Sequence, residues 1–112
     1  MTAAELDIAV RKTSQGSAVV AVAGEIDVYT SPVLQERLVD VIKDGESHIT
    51  LDMSSVTFLD STGLGVLITA LKRCRSADGD LVLVTAQPNV LKVLEITGLN
   101  DVFQVRDSAD EN

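Results

Sequence analysis

The sequence predicts an α/β fold: a mixed sheet that is parallel where helices cross over and starts with a hairpin. One observation is compositional. Apolar residues make up 46% of the chain but aromatics only 3%, namely Tyr29, Phe58 and Phe103, so the core must come from Val, Leu, Ile and Ala, which suits parallel strands covered by helices. The second is periodic. Apolar spacing switches repeatedly between the two-residue strand repeat and the helical repeat, giving the order β-β-α-β-α-β-α-β. A third follows from that order, because a strand joined to the next through a helix pairs with it in parallel.

Leu6, Ile8 and Val10 alternate along a first strand, and the apolar run Ala18 to Ala23, bounded by Gly16 and Gly24, makes a second that pairs with it as a hairpin. Ser31 before Pro32 predicts an N-cap and a first helical position. Leu34, Leu38, Val41 and Ile42 then share one helix face, and Gly45 ends the helix. Ile49, Leu51 and Met53 form a third strand, and Val56, Phe58 and Leu59 carry the apolar signal into a short connection ending at Asp60. From Ser61 the spacing becomes helical through Leu64, Leu67, Ile68, Leu71 and Cys74, until Asp78-Gly79-Asp80 breaks it. Leu81 to Val84 is apolar at every position, which predicts a central strand buried on both faces, with the crossover helices lying on the faces of the sheet. Pro88 opens a short helix with Val90, Leu91 and Leu94 inward and Gly98 at its end, and a last strand lies around Val102 to Val105.

The chain of 112 residues has the length of one compact domain, with a core from about 6 to 106 and an acidic, frayed tail from Asp107 to Asn112. Asp and Glu number 17 against 9 Lys and Arg, a formal charge of -8. Such a field repels nucleic acid and anionic membranes, and the scarcity of aromatics removes the stacking platforms of single-strand binders. A single cysteine, Cys74, makes no internal disulfide, and a single histidine, His48, joins no zinc site. The stretch Met1 to Asp7 is acidic where a secretory signal is basic and then apolar, and no apolar run reaches the roughly 18 residues of a membrane span. These features predict a cytoplasmic protein without metal or cofactor.

The stretch with chemical content is Phe58-Leu59-Asp60-Ser61-Thr62-Gly63-Leu64-Gly65, where two glycines fall in the first turn of a helix at about 1 kcal/mol each relative to alanine. They leave amides uncovered at the positive end of a helix, beside two hydroxyls and a carboxylate. A Walker loop is not this sequence, since Leu64 and Val66 flank Gly65 where that motif needs a lysine. A serine nucleophile lacks its base, because His48 begins the strand whose far end leads to Ser61. Asp27, Asp52 and Asp60 near strand ends make the best enzyme-like rival, a Mg²⁺ site of the receiver kind, but the hairpin start and Arg106 in place of a lysine depart from that pattern. The simplest role for Ser61 is to cap the helix, with Asp60 adding favourable charge. An added phosphate is tolerated at such a position. Asp27 is equally a turn residue before the first helix. Cys74 lies on the apolar stripe of its helix, Lys72, Arg73 and Arg75 complement the helix end, and His48 starts a strand at the surface.

Gly24-Glu25-Ile26-Asp27 with Thr30, followed by Phe58 to Gly65, resembles the STAS-domain anti-sigma factor antagonists, over about Leu6 to Val105. Val28-Tyr29-Thr30 and Leu91 to Gly98 make it look most similar to the BldG type of actinobacteria. The resemblance implies a non-enzymatic binding switch: the unphosphorylated form binds an anti-sigma factor that is also a serine kinase and so frees a sigma factor. That kinase uses ATP to modify the hydroxyl after the Asp of the D-S-[ST]-G motif, here Ser61, with Thr62 an occasional second site, and a PP2C-type phosphatase resets it. Asp27, Thr30, Asp60, Gly63, Leu64 and Gly65 are then the surroundings of the phosphosite. A STAS scaffold or ligand-sensing module of a stress-signalling or transporter complex is the alternative.

Overall fold

The computed structural model describes residues 6–107, so the expected tail lies outside it beyond Asp107. The elements run β1 (Asp7–Ser14), β2 (Ser17–Ile26), α1 (Ser31–Lys43), β3 (His48–Leu59), α2 (Ser61–Ser76), β4 (Asp80–Val84), α3 (Pro88–Thr97), a 3-10 turn at Leu99–Asp101, and β5 (Gln104–Arg106). The sheet order is β1-β2-β3-β4-β5, with the β1–β2 hairpin antiparallel and the remaining pairs parallel. This is the architecture the alternation of periods predicts.

One face of the sheet makes the core. Val20, Leu51 and Leu83 lie in register on neighbouring strands, all fully buried, and α1 and α2 cover them with Leu34, Leu38, Leu67 and Leu71. The next row, Arg11, Val19, Thr50, Val82 and Gln104, points the other way and contains no buried residue. Sequence reading placed β4 at the centre with both faces covered. β4 instead stands between β3 and β5, and its second face is covered only in part: Val84 is fully buried, but Val82 is half-buried because no helix layer covers its row. β3 is also longer than predicted: the expected connection from Val56 to Leu59 is strand, paired with β2 through two register shifts. These shifts change the buried spacing to Met53, Val56 and Leu59, every third residue.

α3 packs across the distal half of β3, where the amides of Gln87 and Asn89 donate to the carbonyls of Ser54 and Thr57. Val90 and Leu94 are fully buried, but Leu91 is 38% exposed. The inward stripe on this short helix runs through Val90, Val93 and Leu94, so the predicted inward role of Leu91 does not hold.

Candidate functional site

The carboxyl ends of β2 and β3 bring two short connections together. The amide of Asp60 donates to the carbonyl of Ile26 at 3.2 Å, so the loop after β2 and the start of α2 are tied to each other.

In the first connection the carboxylate of Asp27 accepts from the amides of Tyr29 at 2.9 Å and Thr30 at 3.0 Å. Asp27 is thus the turn former that its residue type suggested. The Thr30 backbone amide is the main cause that holds its carboxyl below the usual range, opposed by partial desolvation and helped by Tyr29. Thr30 is buried, and its hydroxyl donates to the carbonyl of Glu25 at 2.7 Å while accepting from the amide of Asp27 at 2.9 Å. It fixes the loop from inside and presents nothing to a partner. Thr30, not Ser31, is the N-cap residue of α1, because the chain already turns there and the amide of Ser31 donates to the carbonyl of Asp27.

In the second connection the cap also falls one residue earlier than predicted. Asp60 is extended at φ -107°, ψ -174°, and its carboxylate accepts from the amide of Gly63 at 3.0 Å. Aspartate is as good an N-cap as serine and adds charge that favours the helix N-terminus. Ser61 is therefore the first residue of α2, exposed, with its hydroxyl in no hydrogen bond among the described residues. Thr62 beside it is exposed too.

The two glycines divide. A Cβ on Gly63 falls 2.6 Å from both the Ile26 Cγ2 and the Leu59 Cδ1 atoms, so the absence of a side chain lets α2 seat on the ends of β2 and β3. Leu64 is buried beside it. A Cβ on Gly65 meets nothing within 4 Å. The fold does not require that glycine.

The enzyme-like readings meet geometric obstacles. His48 starts β3 and Ser61 follows its end, a separation of about 35 Å along an extended strand. Asp52 pairs with Ala21, whereas Leu59 pairs with Ile26, which places Asp52 about 17 Å back along the sheet from Asp27 and Asp60. Asp52 is moreover engaged by the amide and hydroxyl of Ser54, and no metal-holding group of three acidic, His or Cys residues forms among the described residues.

Sequence reading missed the apolar surface around this serine. Val28 is 56% exposed, Tyr29 81%, Val33 50% and Phe58 44%. All belong to the loop after β2, the first turn of α1 or the end of β3. No signal in the sequence separates Phe58 from the apolar neighbours Val56 and Leu59, which the structure buries. Among charged residues, positions 25–34 and 54–66 hold Glu25, Asp27 and Asp60 and no Lys or Arg.

The sequence model of the STAS domain matches residues 9–112. The chain is 40% identical over 91 residues to an anti-sigma-B factor antagonist of Listeria monocytogenes, covering 80% of this chain and 79% of that one. It is 36% identical to the anti-sigma-B factor antagonist of Staphylococcus aureus, covering 81% and 84%. The crystal structure of an anti-sigma factor antagonist from Mycobacterium paratuberculosis superposes with a TM-score of 0.84 at 30% identity, covering 94% of this chain and 88% of that one. The chain belongs to the STAS domain family.

Proposed function

We propose that this STAS domain is an anti-sigma factor antagonist, a cytoplasmic and non-catalytic switch that binds an anti-sigma factor kinase when Ser61 is unmodified and releases it when Ser61 is phosphorylated. The relatives' names support the first part. The observation that carries the second is Ser61 itself, an exposed hydroxyl on the first residue of α2, not spent on the cap because Asp60 makes it. A kinase can reach such a group without opening the fold, and ATP enters only as that kinase's substrate.

Phosphate adds about -1.5 to -2 charges. Here it joins Glu25, Asp27 and Asp60, with no Lys or Arg in the same connections to neutralise it, and the Gly63 amide is already taken by Asp60. The new charge therefore stays on the surface, and the cost appears where a partner tries to close over it. In this reading Asp27 and Asp60 flank the acceptor, Thr30, Gly63 and Leu64 hold the two connections in place, Gly65 keeps the helix face flat, and Thr62 is a secondary acceptor. A PP2C-type phosphatase returns the protein to its binding state.

Intact-mass spectrometry with site mapping, after incubation with ATP and each anti-sigma-type kinase of the source organism, tests this. One phosphate on Ser61, absent from Ser61→Ala and accompanied by loss of kinase binding, is the expected result. No modification by any of them, with unmodified protein failing to bind, would move the assignment to a scaffold or ligand-sensing STAS module.

A further inference from the structure

We propose that Tyr29 and Phe58 are the apolar anchors that hold the partner kinase around Ser61, and that Gly65 is kept bare so that the partner can approach the backbone of α2. The proposal rests on the reading of Ser61 as the phosphorylated residue. Neither aromatic belongs to the buried core: Tyr29 is 81% exposed and Phe58, partly covered at the end of β3, is 44% exposed, although they are two of only three aromatics in the chain. The third, Phe103, is 3% exposed and packs in the core. Large apolar side chains left in solvent at the ends of two strands tied together by the bond from Asp60 to Ile26 mark an interaction surface, and aromatics concentrate binding energy there.

The backbone fixes their relation to the serine. Phe58 pairs with Glu25 at the end of the β2–β3 ladder and precedes Ser61 by three residues. Tyr29 rides on the turn that Asp27 and Thr30 hold rigid, tied to α2 by the bond from Asp60 to Ile26. Anchors on a preformed turn lose little freedom on binding. Gly65, one helical turn beyond Ser61, lowers helix stability relative to alanine while filling no tight contact. That is the pattern expected where a partner comes close to the main chain.

The chemistry of the occupant follows from charge. Glu25 and Asp27 stand beside these apolar groups with no cation in the two connections, so the matching surface is an apolar cleft with a basic rim, offered by the anti-sigma factor kinase. Ser61 then lies among the apolar contacts, where water is excluded and a dianion is poorly tolerated even though the rim is cationic. Aromatic anchors supply the affinity, and the hydroxyl supplies the switch.

The test uses the purified kinase that phosphorylates Ser61. Its affinity for unmodified protein, and KM and kcat for the modification, are measured with Phe58→Ser, Tyr29→Ser, the double variant, and Ile96→Ser as a control. Ile96 is 73% exposed on α3, away from the two connections. The expected result is a loss of affinity of about 30-fold or more for the double variant, with KM raised, kcat nearly unchanged, an unaltered melting temperature for Tyr29→Ser, a double variant still folded at the assay temperature, and no effect in the control. Unchanged affinity in the double variant, while phosphorylation of Ser61 still abolishes binding, would overturn the anchors and leave the switch standing. If no kinase modifies Ser61, both fall together.

Discussion

At the amino end of the parallel strands the connections are knotted to one another by the backbone. The amide of His48 donates to the carbonyl of Gly16 and that of Asp80 to the carbonyl of Ser47, both at 3.0 Å, while the amide of Gly79 donates to the carbonyl of Cys74 at 2.7 Å. Glu46 is buried there with Lys12 at 3.5 Å, and Arg75 pairs with Asp80 at 3.3 Å. At the carboxyl end the loop of Asp27 and the start of α2 are also held, through exposed or part-buried hydrogen bonds to the carboxylates of Asp27 and Asp60, and the side chains of Tyr29 and Ser61 and the bare Gly65 are left outward. The same strands thus close at one end to stabilise the fold and open at the other to present groups that do nothing for it. Substitutions at the two ends should separate stability from binding.

The largest effect is expected at Gly79. A Cβ there lies 2.0 Å from the carbonyl oxygen of Ser47, a backbone atom that cannot swing aside. Gly79→Ala should lower stability in urea by about 3 kcal/mol or more; a loss under about 1 kcal/mol would show that the amino end is not tightly knotted. Gly63→Ala meets side-chain atoms of Ile26 and Leu59 that can partly yield, so a loss of about 1–3 kcal/mol is expected. Partner affinity should fall as well, since α2 must shift.

Cys74 gives a smaller, pH-dependent effect. Burial first, and Asp80 second, push its thiol from 9.0 up to about 11. The folded protein therefore holds this proton more tightly than the unfolded chain, so the contribution is present in full below pH 9 and is lost as pH rises towards 11. Urea titrations from pH 8 to 11 should show a decline that Cys74→Ala flattens. In the folded state at neutral pH the thiol should resist alkylation.

The smallest effect on stability belongs to Gly65, and its sign is opposite. Gly65→Ala places a methyl group in open space and should leave the fold unchanged or up to about 1 kcal/mol more stable. Kinase binding should nonetheless weaken. A destabilised Gly65→Ala protein would mean that this glycine serves the fold after all.

The order of elements was legible in the sequence because each apolar run keeps one period long enough to be read. The site was legible in part: the crowding of hydroxyls, glycine and carboxylate at Asp60 to Gly65 marked the place. The caps at Thr30 and Asp60 were each read one residue late, because Ser, Thr and Asp all serve at N-caps and only the backbone turn decides among them. Val82 misled because an apolar run carries no sign of whether a second layer of helices exists. Phe58 and Tyr29 were invisible as surface groups because their exposure depends on register shifts in β3 and on a turn held by Thr30 from within.

The most direct test of the proposed switch is the dissociation constant of the proposed anti-sigma factor kinase for unmodified and Ser61-phosphorylated protein, taken with the melting temperature of each form. Phosphorylation should weaken affinity at least about 100-fold, as expected for a dianion placed in a closed interface, with the melting temperature shifted by no more than a few degrees. Equal affinity of the two forms would contradict it, and so would a loss of binding that comes only with unfolding.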